Sequence, residues 1–252
     1  MKYNLDYIAH NNKLRIVNPK LKILYTFLTL IISLFSKNIF VPFIAFLVSS
    51  YLIIFRARVP VKIYLYLLLP AIAFALFNLI FMSFWYGKIV IFKIFFITFK
   101  LEGLKQGILI FFRILGGVST MLFLALTTPI IELFYVLRRY LPKEFIDIAL
   151  MMYKFIFDLL DTFLTMKNAQ ETRLGYKDVK TSYKSLGMLM SNLFIRTYEK
   201  SEKVYISMAS RGYDGDIRIL TELPNLKLKN LFIVLLFEFL LALLALTLPP
   251  LL

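Results

Sequence analysis

The chain has 252 residues, 60% of them hydrophobic and 17% aromatic, and its mean hydropathy is +0.77. This composition excludes an ordinary soluble domain. The 30 lysines and arginines against 15 acidic residues give a net charge of +15. In a soluble protein that charge would suggest nucleic acid, but beside long apolar runs it indicates anionic lipid and no nucleic-acid partner. The absence of cysteine excludes disulfides and thiolate metal sites.

Long apolar runs predict an all-α polytopic membrane protein with about five transmembrane helices. Residues 88–103, KIVIFKIFFITFKLEG, are too short and too rich in lysine to span a membrane, and they predict an extended or hairpin excursion on the outer surface. Gly116-Gly117 offers a close helix approach within the fourth span. The five predicted spans are residues 21–36, 39–55, 63–84, 104–128 and 231–248.

One long polar segment lies between the fourth and fifth spans. It predicts a short helix at 130–140 and two long amphipathic helices at 142–173 and 185–211, with a linker at 175–184. We therefore divide the chain into 1–128 (N-terminal segment and four spans), 129–230 (amphipathic helices) and 231–252 (last span).

The two long helices are predicted to end in similar ways. The first ends in AQETRLGY, with Arg173 two residues before Gly175, and the second ends in TYEKSEKVYISMASRGYDG, with Arg211 directly before Gly212. Glycine ends helices because it adopts the left-handed conformation, and a cation is favourable beside the exposed last carbonyls. An arginine that only stops its own helix would contribute about 0.3–1 kcal/mol.

These paired endings, the opening DYIAHNNKLR and the membrane context resemble the transmembrane T component of energy-coupling factor transporters, closest to the cobalt-type CbiQ proteins. The resemblance implies that two cytoplasmic coupling helices dock into ATPase subunits through arginines at their ends. By this likeness the docking residues are Thr172, Arg173, Leu174, Ser210, Arg211 and Gly212. Many relatives have Ala-Arg-Gly at these two positions, and this chain keeps the arginine in both. The docking role implied by the resemblance is therefore more secure for the arginines than for their neighbours.

The resemblance also implies the partners. These are two CbiO-like ATP-binding subunits, a CbiM-like substrate-binding membrane protein (the S component) and, in some systems, a small CbiN-like protein. ATP and Mg²⁺ would be bound by the ATPases, so this chain would hold no cofactor and be no enzyme. Cobalt is the cargo expected by family likeness, with nickel or a vitamin as alternatives.

The distribution of charge predicts the orientation. Of the 30 lysines and arginines, 24 lie in the first 22 residues, in the loop at 56–62 or in 129–230. The positive-inside rule then places the N-terminus and the amphipathic helices in the cytoplasm. The resemblance implies that the spans lie in the cell (inner) membrane of a prokaryote.

Catalytic and metal motifs are missing from the sequence. No Walker-type phosphate loop is present, and the single histidine, His10, favours a solvated or capping role over metal ligation. Asp158 and Asp161 suggest a solvated polar stripe, and Asp214 and Asp216 suggest a turn around Gly215. Two rivals from other classes stay open: an intramembrane enzyme acting on lipids, and a membrane scaffold without transport.

Two charges interrupt apolar spans. Arg113 lies in the fourth span and Glu238 in the fifth, at similar expected depths. Because an unpaired charge in the membrane is costly, we predict that they form an ion pair. The alternative is that each reaches the surface or another partner separately.

Overall fold

The computed structural model describes residues 5–87, 90–94, 97–215, 217 and 223–247. The chain divides into two compact units, Met1–Leu133 with Thr221–Leu252 and Phe134–Leu220. These are called the first and second unit below. The boundaries expected from the sequence were 128/129 and 230/231.

The first unit contains the apolar helices, and the all-α fold class predicted from the sequence is confirmed. Its helices are α1 (Leu5–His10), a 3-10 turn (Lys13–Ile16), α2 (Pro19–Phe35), α3 (Phe40–Tyr51) with a π-helical extension (Leu52–Arg56), α4 (Val61–Trp85), α5 (Leu101–Thr127) and α9 (Leu228–Thr247). The short helix α6 (Ile130–Leu137) begins in the first unit and ends in the second. Two short strands, β1 (Val90–Ile94) and β2 (Ile97–Lys100), pair antiparallel, so residues 88–103 do contain the expected paired strands.

Each of the five predicted spans corresponds to a helix of the structure. By length and composition, three helices in the described part of the chain can cross a membrane: α4, α5 and α9. α2 has 17 residues, which at 1.5 Å per residue is about 25 Å and the lower limit for a span. The segment Phe40–Arg56 is also apolar but short. Its last turn is π-helical, so that each backbone amide bonds the carbonyl five residues earlier, as the Ala57 amide does with the Leu52 carbonyl at 2.8 Å.

α5 is the central helix of the first unit, since α1, α2, α3 and α4 all pack against it. Gly116 lets α3 approach closely: a Cβ added there would lie 2.6 Å from the carbonyl oxygen of Pro42. A Cβ added at the neighbouring Gly117 would make only an ordinary van der Waals contact, with a Leu30 methyl at 3.6 Å. The glycine pair was predicted to bring helices together, and only the first of the two glycines does so.

Buried hydroxyl groups connect the helices α2, α3, α4 and α5. The Tyr25 hydroxyl lies 2.9 Å from Ser49 Oγ, which lies 3.1 Å from Thr120 Oγ1. The Tyr64 hydroxyl lies 2.9 Å from Ser119 Oγ. Hydrogen bonds between apolar helices fix their mutual register, because lipid cannot satisfy a hydroxyl. No part of the sequence reasoning singled out these residues.

The N-terminal segment packs on the first unit through polar side chains. Asn12 is buried, and its side-chain amide donates to the Leu126 carbonyl at 3.3 Å. Arg15 pairs with the buried Glu132 at 3.4 Å. The Asn18 side chain accepts from the Lys20 backbone amide and caps α2, with Pro19 at its first position. The DYIAHNNKLR opening is thus part of the fold.

We predict that Gly116→Ala destabilises the protein and that Gly117→Ala does not. The methyl group at 116 would press on the Pro42 backbone, and such overpacking costs about 1–3 kcal/mol. Both variants add the same single carbon to adjacent residues of one helix. Apparent melting temperatures of the detergent-purified proteins measure the effect, and equal melting temperatures would refute the close α3–α5 approach.

Candidate functional site

The second unit is built on two long helices, α7 (Lys143–Thr172) and α8 (Val179–Ser210). They run antiparallel. The Gln170 side chain donates to the Ser185 carbonyl at 2.9 Å near one end, and Lys200 Nζ lies 2.7 Å from Asp158 Oδ2 further along. Pro142 precedes α7 as its N-cap, as the sequence predicted for the start of this helix.

α8 begins six residues earlier than predicted. Residues 177–184 lack apolar periodicity, so the sequence indicated a linker there. In the structure, the Ser182 backbone amide donates to the Asp178 carbonyl at 2.8 Å and the Ser182 hydroxyl donates to the same oxygen at 2.7 Å. These bonds form the first turn of α8 at Val179 and reduce the linker to a few residues.

The first helix, α7, ends in a Schellman turn. Arg173 is the C-cap residue, and Leu174 adopts the left-handed conformation with φ 59°. The Gly175 amide donates to the Gln170 carbonyl at 2.8 Å, and the Leu174 amide donates to the Glu171 carbonyl at 3.0 Å. These two bonds satisfy carbonyls that the helix end would otherwise leave unpaired.

The second helix, α8, ends in the same way. Arg211 is the C-cap residue, and Gly212 adopts the left-handed conformation with φ 77°. The Tyr213 amide donates to the Met208 carbonyl at 3.1 Å, and the Gly212 amide donates to the Ala209 carbonyl at 3.1 Å. The two arginines therefore occupy the same position of the same turn, one on each helix.

The geometry revises the expected role of one glycine. The sequence suggested that Gly175 stops α7, but Leu174 is the residue that corresponds to Gly212. Gly175 serves the packing of the turn against α8, because a Cβ there would lie 2.8 Å from Ser185 Oγ. The Ser185 hydroxyl donates to the Gly175 carbonyl at 2.8 Å.

The residues around the two arginines also match. Thr172 Oγ1 donates to the Ala169 carbonyl at 2.9 Å, and Ser210 Oγ donates to the Ser207 carbonyl at 3.0 Å. Both arginine side chains are exposed, and neither guanidinium has a hydrogen bond or ion pair with any described residue. Each end thus presents a cation whose donors are available to another molecule.

The antiparallel arrangement puts the two arginines at opposite ends of the helix pair. Arg173 lies beside the first turns of α8, whereas Arg211 follows its last residue. α8 has 32 residues, which at 1.5 Å per residue is a length of about 48 Å. The two ends are therefore far enough apart to contact two different subunits.

An apolar groove of about 420 Å³ lies between α7 and α8 near the Arg211 end. Met151 and Met152 of α7 line it together with Tyr205 and Met208 of α8. Asp147 also lines the groove; it is buried, and neither carboxylate oxygen has a partner among the described residues. Methionine-lined grooves suit helices that pack against changing partners, because the side chain is flexible.

The predicted ion pair between Arg113 and Glu238 is not formed. Arg113 Nη2 donates to the carbonyl of Ser36, the C-cap residue of α2, at 2.6 Å. Glu238 Oε1 accepts from the Thr29 hydroxyl at 2.7 Å. Thr29 and Ser36 are seven residues apart on α2, about 10 Å along its axis. Arg113 reaches toward the end of α2, where unpaired carbonyls favour a cation. The prediction from equal depth in the membrane was therefore wrong about its partner.

The remaining candidates have ordinary local contacts. His10 Nε2 lies 3.4 Å from Asp6 Oδ2, one turn earlier on α1. Asp158 pairs with Lys200 on the exposed side of the α7–α8 pair. The Asp161 backbone carbonyl accepts from the Thr165 hydroxyl. Gly215 has φ 88° and is consistent with a turn beside Asp214, while Asp216 lies outside the described residues. The described residues contain no group of three or more histidine, aspartate or glutamate side chains that could hold a metal ion.

Comparisons with known proteins place the sequence in a recognised family. A family described as "CbiQ: Cobalt transport protein" matches residues 10–223. The chain is 43% identical to an uncharacterised protein, MJ1089, of Methanocaldococcus jannaschii, over 97% of the chain and 94% of that protein.

Two further relatives have descriptive names. The chain is 35% identical to the putative fused cobalt transport protein CbiMQ of Methanocorpusculum labreanum, over 84% of the chain and 36% of that longer protein. It is 27% identical to the energy-coupling factor transporter transmembrane protein EcfT of Lactococcus lactis, over 83% of each. These matches confirm the resemblance derived from the sequence.

We predict that alanine has opposite effects at two glycines of α8. Gly187 lies inside the helix with open space around it, so Gly187→Ala should stabilise by about 0.5–1 kcal/mol. Gly212 also faces open space but has φ 77°, so Gly212→Ala should destabilise by about 1 kcal/mol. Thermal unfolding followed by circular dichroism checks both signs. Stabilisation by both changes would contradict the left-handed cap at 212.

Proposed function

The chain belongs to the CbiQ family of cobalt transport proteins, and we propose that it is the coupling subunit of an energy-coupling factor importer. In this role it transmits the motion of two ATPases to a separate membrane protein that binds the substrate. The observation that carries the proposal is the pair of matched Schellman turns, each with an exposed arginine at the C-cap.

The arginines suit docking to a protein groove. A guanidinium presents five donors in a planar fork, and it can bond several carbonyl or carboxylate oxygens at once. Because backbone amides already satisfy carbonyls of the last turn, the arginines are not needed to end the helices. Arg173 and Arg211 lie at opposite ends of the antiparallel pair, which fits one ATPase subunit at each end.

The length of α7 and α8 suits transmission of movement. A continuous helix of 30 or more residues moves as a lever, because displacing one end displaces the other. The apolar groove near Met151 and Met208 offers a surface for a membrane partner. The name of the M. labreanum relative joins CbiM and CbiQ in one chain, which supports a CbiM-like protein as that partner. A small CbiN-like protein would be an additional subunit.

The cargo and the orientation follow from family likeness and charge. We propose cobalt as the cargo because the matching family is described as a cobalt transport protein; nickel or a vitamin are the alternatives. The basic regions at the N-terminus, at 56–62 and at 129–230 favour a cytoplasmic N-terminus and cytoplasmic coupling helices in the cell membrane. ATP and Mg²⁺ would bind to the ATPases, which leaves this chain without catalysis.

We predict that Arg173→Lys and Arg211→Lys each weaken ATPase binding, and that the double variant weakens it more. An ammonium cannot reproduce the planar fork, and loss of a hydrogen-bonded charge pair at an interface costs about 2–5 kcal/mol. Co-purification of the ATPases with the tagged chain is the measurement, supported by substrate uptake in whole cells.

The matched control is Arg196→Lys, an exposed arginine on α8 away from either end. It should leave co-purification unchanged. All variants should insert and express normally, since neither end uses its guanidinium for folding. Full complex yield and full uptake in the Arg173→Ala, Arg211→Ala double variant would refute the docking role, and the arginines would then only help to end their helices.

We also predict that the isolated chain binds neither Co²⁺ nor Ni²⁺ with micromolar affinity. Such sites favour imidazole and thiolate ligands, and the sequence has one histidine and no cysteine. Isothermal titration calorimetry on the detergent-purified protein tests this. A stoichiometric metal site in the chain alone would show that the cargo is held here and not by a partner.

A further inference from the structure

A cavity of about 670 Å³ opens at one end of the helices of the first unit. Its walls come from the ends of several helices that lie at the same face: α2 and α9 begin there, and α5 and the π-helix after α3 end there. The 3-10 turn Lys13–Ile16 forms part of the wall. The volume lies in the range of small-molecule and lipid sites, about 300–1,000 Å³.

Three cations line this cavity: Lys13, Lys22 and Arg56. Lys22 is only 3% exposed, and its ammonium group donates to the Thr127 carbonyl at 2.7 Å. An ammonium has three donors, so two stay available to a ligand. Lys13 and Arg56 are exposed at the rim.

Acidic side chains do not line the cavity in the part of the chain that the structure describes. The carboxylate that acts electrostatically on Lys22 is that of Glu132, which does not line the cavity and whose Oε1 is paired with Arg15. The lining is therefore positively charged and open to an anion.

The cavity changes from polar to apolar with depth. On α2, Tyr25 lines it one turn deeper than Lys22, and on the π-helix Leu52 lies one turn deeper than Arg56. On α9, Val234 lies one turn deeper than Asn230. One helical turn is about 5 Å, so a charged rim lies over an apolar interior at this face. Free phosphate would use only the rim, whereas a phospholipid would use both parts.

We propose that this cavity binds an anionic phospholipid, with the headgroup phosphate at Lys13, Lys22 and Arg56. The upper part of an acyl chain would lie against Tyr25 and Val234. Basic pockets between transmembrane helices bind lipid headgroups through the same combination of charge and apolar contact. The lipid would join the N-terminal segment to α2, α5 and α9. The proposal does not depend on docking of ATPases.

The test is native mass spectrometry of the full-length chain in detergent, titrated with phosphatidylglycerol, phosphatidylcholine or glycerol 3-phosphate. We expect phosphatidylglycerol to bind with one strong site, at least tenfold tighter than phosphatidylcholine. Glycerol 3-phosphate should not displace it at equal concentration. Displacement by glycerol 3-phosphate would identify a free-phosphate site and overturn the lipid proposal, as would equal binding of the two lipids.

The variant is Lys13→Gln, Arg56→Gln, which removes two exposed cations and leaves the Lys22–Thr127 contact intact. We expect the phosphatidylglycerol affinity to fall by about thirtyfold, equivalent to roughly 2 kcal/mol, as for two charges removed beside an anionic headgroup. The matched control is Lys62→Gln, Lys227→Gln. Both of these lysines are exposed beside helix starts at the same face, and neither lines the cavity.

The control should change the affinity by less than threefold. Equal weakening in the two double variants would mean that only the overall charge attracts the lipid, and the site would be rejected. Circular dichroism of each variant accompanies the titration, so a change in affinity is compared only between equally folded proteins.

Discussion

A helix of 30 residues must end somewhere, and its last carbonyl groups then need donors. In α7 and α8 the donors are backbone amides of the following turn, and a residue with positive φ makes each turn possible. The side chain of the arginine at each C-cap is consequently not needed to bond these carbonyl groups. On the proposed function these donors are available to an ATPase subunit, because neither guanidinium has a hydrogen bond or ion pair with any described residue.

In the first unit the corresponding constraint is the close approach of α3 to α5. Gly116 leaves room for the Pro42 backbone, and this proximity brings Ser49 within 3.1 Å of Thr120. The Tyr25 hydroxyl then joins α2 to Ser49 of α3, and the Tyr64 hydroxyl joins α4 to Ser119 of α5. Small residues and hydroxyl groups suit helix association in a membrane, because apolar burial does little to associate helices in lipid.

Much of the fold could be predicted because its signals are local. Apolar runs predict all five apolar helices of the first unit that correspond to spans, and glycine and charge predict that the two long helices end at Arg173 and Arg211. The predicted start of α8 was wrong because residues 179–184 lack apolar periodicity. These residues form the first turns of the helix through polar contacts between Asp178 and Ser182. Local patterns also gave no sign that Lys22 would be buried.

Long-range pairing was the part that sequence could not supply. Arg113 and Glu238 are both charged and both within spans. Their hydrogen-bond partners, Ser36 and Thr29, lie two turns apart along α2. Depth along a helix gives one coordinate, whereas pairing also depends on which face each residue occupies. The same limit hid the basic cavity, whose three cations come from three different segments of the chain.

Leu174 distinguishes the two ends of the helix pair. A leucine at φ 59° costs about 1–2 kcal/mol relative to a residue without Cβ, and the equivalent position on α8 is a glycine. Ending the helix does not explain the leucine, because Gly212 ends α8 without that strain. What the strained position retains is an apolar side chain that is 69% exposed beside Arg173. Strain of this kind is characteristic of functional sites. On the proposed function, the ATPase contact at Arg173 would include an apolar side chain at the position where α8 has Gly212, so the two ends of the coupling helices would not be interchangeable.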